Sequence, residues 1–298
     1  MPPFDTKLDV TLQPDRDAYR PGESMLLHVR ITAAEATAVR GGRAELVGRL
    51  RYQYRTEEWD DDPRGGRRRE TRVRTETDEQ VLTDSILGPE TLAAGETIER
   101  WVRFMIPRTA LPSGAGEIVG VEWTARATID VPRRRDASAE REVRVAAPRE
   151  AFAGRVDPNP RVDPGEAGLE LTLETAEVAA GEEIRGTLVV APAEDFGIRG
   201  VRVELMRQET TARDLGHMVA TTVLTGEVEI AETELYRERR YPIPFGIVVP
   251  PDAAPCHETG LTSVRWFVRV VLDRPRRGDQ AAVQEILVHN EPEPADGD

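Results

Sequence analysis

The 298-residue chain contains one cysteine, Cys256, and one lysine, Lys7. A single thiol excludes an intrachain disulfide framework. Histidine is scarce too, with His28, His217, His257 and His289 the four present. There is no Cys/His spacing of a metal site, no glycine-rich phosphate cradle and no nucleophile elbow. The sequence therefore predicts no cofactor, no metal and no catalytic residues. No apolar run approaches the roughly 20 residues that span a bilayer. Residues Met1 to Asp5 lack a charged segment followed by an apolar one. The expected location is the cytoplasm, with any peripheral membrane recruitment passing through a partner.

Positive charge is also short. The chain has 40 Lys+Arg against 54 Asp+Glu, a net charge of −14. That balance argues against nucleic acid as a partner and against docking on anionic lipid. Lys7 stands alone, so 39 of the 40 basic residues are arginine. Coding bias in a GC-rich genome explains this more simply than a demand for planar guanidinium donors.

What the sequence does contain is strand periodicity, and it contains it twice. The apolar share of 39% is ordinary for a globular chain, and 22 Pro with 24 Gly imply many turns. The length suits two domains. Val121, Trp123, Ala125, Ala127 and Ile129 alternate with polar residues, as do Val264, Trp266, Val268, Val270 and Leu272. Period two over such lengths specifies a sheet with one buried face. These segments align at an offset of 143, which also relates Pro107 to Pro250, Pro112 to Pro255, Asp130 to Asp273 and Asp136 to Asp279. Early in each half, Tyr19-Arg20-Pro21-Gly22-Glu23 and Ala179-Ala180-Gly181-Glu182 precede apolar alternations, here at an offset of 159. The first half thus holds about 16 extra residues, assigned to the charged stretch 55–72. Further strands are expected at 43–54, 98–106, 141–146, 169–174, 184–190, 201–207, 219–224, 235–241 and 283–289. Many short strands with regular turn signals make an all-β protein of sandwich type.

The doubled order of landmarks resembles the arrestin fold. Each half has a strand, a turn of the Tyr-x-Pro-Gly-Glu type and a second strand. An apolar strand then runs into a proline-flanked turn, at Trp101 to Pro107 and at Phe245 to Pro250, and a long Trp-containing strand closes on Asp. The resemblance is to the α-arrestin-like and bacterial sporulation-control branch, in the superfamily that includes the retromer vacuolar-sorting subunit. It implies two tandem immunoglobulin-like, arrestin-type sandwiches at 5–147 and 168–290. A Pro-rich linker would occupy 148–167, and 291–298 would be a disordered acidic tail. It implies a non-enzymatic adaptor or scaffold that binds other proteins through sheet edges, loops or an interdomain groove, with an output in sporulation or stress regulation. A self-assembling structural component is the alternative, and a hydrolase centred on Cys256 a weaker one.

Two features are candidate partner-binding sites. The insertion at 55–74 segregates its charges, with acids at 57, 58 and 60–62, then Pro63, then arginines at 67, 68, 69, 72 and 74. It reads either as a solvated, mobile hairpin loop or as a docking loop, with Trp59 as anchor and Arg67, Arg68 and Arg69 meeting an acidic partner. The Asp-x-Pro-Arg-Arg-x-Asp repeat, carrying Arg133, Arg134, Arg276 and Arg277, reads either as a strand corner closed by an Arg–Asp pair or as a pair of anion-binding loops. Cys256 and His257, adjacent in an expected turn, would point to opposite faces and so form no catalytic pair. Trp123 and Trp266 are expected to anchor the two cores.

Overall fold

The structure is a computed structural model that describes residues 7–61, 67–147, 161–163, 167–213, 216–228, 232–276 and 278–290. Among them there is no helix. β1 (Leu8–Pro14), β2 (Ala18–Tyr19), β3 (Ser24–Ala33) and β4 (Thr37–Val39) lead into the long strands β5 (Gly41–Asp61) and β6 (Arg67–Leu87). Next come β7 (Glu90–Leu92), β8 (Thr97–Met105), β9 (Gly114–Ala115), β10 (Val119–Asp130), β11 (Ala137–Glu142) and β12 (Arg144–Val145). β13 (Arg161–Asp163), β14 (Leu169–Leu173), β15 (Glu177–Ala179), β16 (Glu183–Val190), β17 (Phe196–Ile198) and β18 (Gly200–Ala212) follow. The last are β19 (His217–Val228), β20 (Thr233–Leu235), β21 (Tyr241–Val248), β22 (His257–Glu258), β23 (Thr262–Asp273) and β24 (Gln280–His289). The chain forms two compact units: one of Met1–Arg51, Glu76–Ser113 and Gly120–Ala146, the other of Tyr52–Thr75, Gly114–Val119 and Ala147–Asp298.

In the first unit the sheet β1-β3-β8 shares a core with the sheet β11-β10-β5-β6. Alternation decides what enters that core. Met25, Leu27, Val29 and Ile31 of β3 are buried, and so are Val121, Trp123, Ala125, Ala127 and Ile129 of β10. Trp123 lies across β5 at Gly48, where a Cβ would stand 2.6 Å from the indole ring. Its Nε1 donates to the Leu111 carbonyl at 2.9 Å.

The second unit holds the sheets β13-β14-β16-β21 and β15-β24-β23-β18-β19. Its core takes Leu169, Leu171, Ile184, Leu188, Val203, Leu205, Trp266, Val268, Val270, Ile286 and Val288. Trp266 Nε1 donates to the Ala254 carbonyl at 2.8 Å. Both tryptophans are thus core residues, as their periodicity predicts.

Equivalent backbone bonds occur at the two offsets. Gly22 N donates to Ile106 O at 2.9 Å and Ile106 N to Glu23 O at 2.8 Å; Gly181 N donates to Val249 O at 3.0 Å and Val249 N to Glu182 O at 2.8 Å. The two glycines have φ of 87° and 95°, a conformation that a side chain disfavours. Val145 pairs in parallel with Tyr19, and Val288 with Val178.

Three expectations need correction. The segment expected as a strand at 235–241 is a turn over residues 236–240, and the strand β21 begins at Tyr241. Four charged residues follow Tyr236; Glu238 adopts φ 64°, and the Tyr241 hydroxyl accepts from Tyr236 N at 2.8 Å. The 55–74 insertion is not a loop along its length. β5 continues to Asp61 and β6 restarts at Arg67, leaving Pro63 and the rest of 62–66 outside the described residues. Within the expected linker, residues 161–163 form β13 and pair with β14. The remainder of 148–166 and the tail 291–298 also lie outside the described residues.

Candidate protein-interaction surfaces

The β5–β6 ribbon explains the charge segregation read from the sequence. An acidic arm followed by a basic arm becomes, on folding back antiparallel, a set of cross-strand ion pairs. Arg69 meets Glu57 at 2.9 Å, and Glu58 meets both Arg72, at 3.4 Å, and Arg74. Arg72 also bonds Glu70 at 3.0 Å. Strand alternation sorts these groups onto two faces. One carries Glu58, Glu70, Arg72 and Arg74. The other carries Glu57, Trp59, Arg69 and Val73. On that second face Trp59 is 61% exposed and the Arg69 guanidinium lies 5.2 Å from its ring centroid. Val73 is exposed as well. The structure therefore brings Trp59 and Arg69 together. Arg67 and Arg68 stand in β6, but their side chains lie outside the description.

The two Asp-to-Asp corners share one backbone shape. Arg133 and Arg276 both have φ 62°. Asp136 Oδ1 accepts from Val131 N at 3.3 Å, closing the first corner through its side chain. Among the described residues the corner acids pair with arginines outside the corners. Arg40 meets Asp130 at 3.8 Å, Arg199 meets Asp273 at 2.6 Å, and Arg202 meets Asp279 at 3.1 Å. Arg134 instead bonds Glu35 at 2.9 Å, which Lys7 also contacts; these two cations hold the Glu35 carboxyl below the usual carboxylate range. Arg134 is therefore occupied within the fold. Arg277 lies outside the described residues. The Arg–Gly signal that identifies Arg40 and Arg199 was present in the sequence at the same offset of 159, as Val39-Arg40-Gly41 and Ile198-Arg199-Gly200.

Sequence reasoning missed a buried polar cluster in the second unit. Glu209 is 1% exposed. Its carboxylate accepts from the backbone N–H of Glu117 at 2.8 Å, Ile118 at 2.8 Å and Val119 at 2.9 Å, and lies 2.8 Å from Arg207 Nε. Thr211 Oγ1 donates to Gln53 O at 2.7 Å, and Gln53 N to Ile118 O at 2.9 Å. A carboxylate so bonded fastens backbone, with three of its roughly four lone pairs taken by main-chain N–H groups. The signal was legible: Val201, Val203 and Leu205 set the buried parity of β18, and Arg207, Glu209 and Thr211 continue it with polar residues.

Cys256 and His257 are both buried. Burial pushes the Cys256 thiol up to about 11 and the His257 imidazole down to about 4. Cys256 Sγ accepts from Val288 N at 3.3 Å, while His257 Nε2 lies 3.5 Å from Thr262 Oγ1. An inaccessible protonated thiol is a poor nucleophile. Among the described residues no group of three or more His, Cys, Asp or Glu is placed to hold a metal ion. Nor is any helix among them long and apolar enough to cross a membrane.

Sheet edges differ in a way that bears on partner binding. β8 and β21 are edge strands at corresponding places in their sheets. In β21, Pro242 and Pro244 occupy the positions that β8 fills with Glu99 and Trp101. Proline on an edge strand blocks strand addition, because it offers no N–H. β8 has no proline. Its Trp101 is 61% exposed and stacks on His28, with centroids 4.3 Å apart and planes at 15°.

Residues 8–150, which contain this sandwich and the ribbon, match the family described as arrestin (or S-antigen), N-terminal domain. Over these residues the chain is similar to that family. No curated protein matches the chain. Arrestin-family domains are in general adaptors rather than enzymes, and the match is consistent with such a role.

Proposed function

We propose that the chain is a non-enzymatic adaptor or scaffold of two tandem arrestin-type domains, 5–147 and 168–290, that binds other proteins through the β5–β6 ribbon and exposed sheet edges. The tandem reading is supported by the recurrent bonds at the offsets of 143 and 159, including the paired indole–carbonyl bonds of Trp123 and Trp266. The resemblance of the repeated landmarks supports a role in sporulation or stress regulation, and the single cysteine supports a cytoplasmic place. The observation that carries the binding role is Trp59. A tryptophan held in the open by an arginine, beside the ion pairs of Glu57 with Arg69 and Glu58 with Arg72 and Arg74, is an anchor of the kind that dominates protein interfaces. The burial of Cys256 weighs against the hydrolase alternative centred on it.

The test is affinity purification of the tagged full chain followed by mass spectrometry, beside a variant lacking residues 57–72. The reading expects a reproducible partner lost with the ribbon while the thermal unfolding midpoint is kept. An identical partner set from both proteins contradicts the ribbon as the docking site.

A further inference from the structure

The unprotected edge of β8 is matched to itself. Ile106 N donates into the sheet, to Glu23 O. In an antiparallel ladder alternate residues bond inward, so Phe104, Val102 and Arg100 point their N–H and C=O groups toward β3. Glu99, Trp101, Arg103 and Met105 then point theirs toward the free edge, where the Glu99 carbonyl accepts from the Arg100 guanidinium at 3.0 Å, an exposed bond that a pairing strand exchanges for a backbone one. The equivalent bond in the second unit, Val249 N to Glu182 O, sets the opposite numerical parity in β21. That parity puts the nitrogens of Pro242 and Pro244 on the free side, where their missing donors cost the fold nothing and close the edge. β8 has the same geometry with the donors present.

The side chains on the outer face of β8 read Thr97, Glu99, Trp101, Arg103 and Met105. Two copies of this strand laid antiparallel about Trp101 place Glu99 of each opposite Arg103 of the other. Trp101 faces its own copy in a pair that exchanges both backbone bonds. Within the chain, Glu99 pairs with Arg30 at 2.9 Å, and the other oxygen is 3.6 Å from His28 Nε2, a buried atom with no hydrogen-bond partner. Its carboxylate has capacity for a second arginine. Arg103 is exposed, and no acid among the described residues pairs with it.

We propose that β8 is a homodimerisation edge: two copies of the chain pair antiparallel through it, with the twofold axis at Trp101 and the sheets joined as β1-β3-β8-β8-β3-β1. This is a closed, self-complementary contact, the commonest form of oligomer. It uses residues other than those of the ribbon, so partner capture and self-association are read by different variants.

Sedimentation velocity or light scattering on the purified full chain, from about 1 to 100 μM, tests it. The wild type is expected to show a concentration-dependent dimer. Glu99→Arg and Arg103→Glu each set like charges opposite one another and weaken the dimer at least tenfold. The double variant restores it, since each charge again meets its opposite. Trp101→Pro copies Pro244 at the matching register, keeps the fold because that N–H is unused within the sheet, and gives a monomer. A strict monomer over the whole range overturns the proposal, whether the edge is bare or covered by the chain's own residues. So does a dimer that all four variants leave unchanged.

Discussion

Trp266 donates its indole N–H to the carbonyl of Ala254 at 2.8 Å. The same bond joins Trp123 to Leu111 at 2.9 Å, and both partners are displaced by 143 positions. Each indole ties the long central strand of a sheet to the turn that follows the proline-flanked strand. Trp266→Ala removes a side chain that is 1% exposed, and Trp123→Ala one that is 3% exposed. Each should cost about 3–5 kcal/mol in urea unfolding, the range for a buried aromatic cut to alanine. A loss below about 1 kcal/mol at either site would count against its role in the core.

Gly48→Ala tests the same packing from the other side. The new methyl would meet the Trp123 ring at 2.6 Å and displace it. Overpacking of this kind costs about 1–3 kcal/mol. The Trp123 fluorescence should shift with the loss of stability, and an unshifted, equally stable variant would contradict the close approach.

Glu209→Ala strands three backbone N–H groups that the carboxylate now satisfies. A buried donor left without a partner costs about 1–3 kcal/mol. The variant should lower the thermal midpoint by several degrees and speed amide exchange at Ile118 and Val119. Glu209→Gln keeps an accepting oxygen and should fall between the two.

His257 gives the fold a pH dependence. Its imidazole is pushed from 6.5 to about 4 by burial, so the unfolded chain takes up a proton that the folded chain refuses. The stability this group contributes is complete above about pH 6.5 and falls as pH drops toward 4, by about 3 kcal/mol at full effect. His257→Gln should flatten the unfolding free energy in that window. An unchanged slope between pH 6.5 and 4 would remove His257 as the cause. Cys256, pushed up to about 11, should react with a thiol reagent at pH 8 only after unfolding.

How much of this was readable beforehand depended on the signal each residue type carries. Alternation exposed the cores because burial on one face repeats every second residue, as at Val121 to Ile129. The repeated Gly22 and Gly181 turns were legible because positive φ restricts the choice of residue. The ribbon was misread because high charge is the mark of a solvated loop. Its actual logic, Glu57 with Arg69 and Glu58 with Arg74, is a pairing between residues 12 and 16 apart that only the fold-back creates. The corner acids Asp130 and Asp273 are legible as a repeat, but the arginines that meet them in the described residues lie outside the corners. Arg40 and Arg199, which pair with them, are far along the chain, and only the Arg–Gly repeat at the offset of 159 marks them. Trp101 was passed over as part of an apolar strand. Its exposure follows from its parity against the buried Val102 and Phe104.

The central claim is that Trp59 and Arg69 form a protein-docking anchor. Quantitative mass spectrometry of proteins retained by the tagged wild-type chain and by Trp59→Ala tests it most directly, with the thermal midpoint of both measured alongside. The account predicts an unchanged midpoint and at least a tenfold drop in one reproducible partner, with a similar drop for Arg69→Glu. Equal retention of every partner by the folded variants would contradict it.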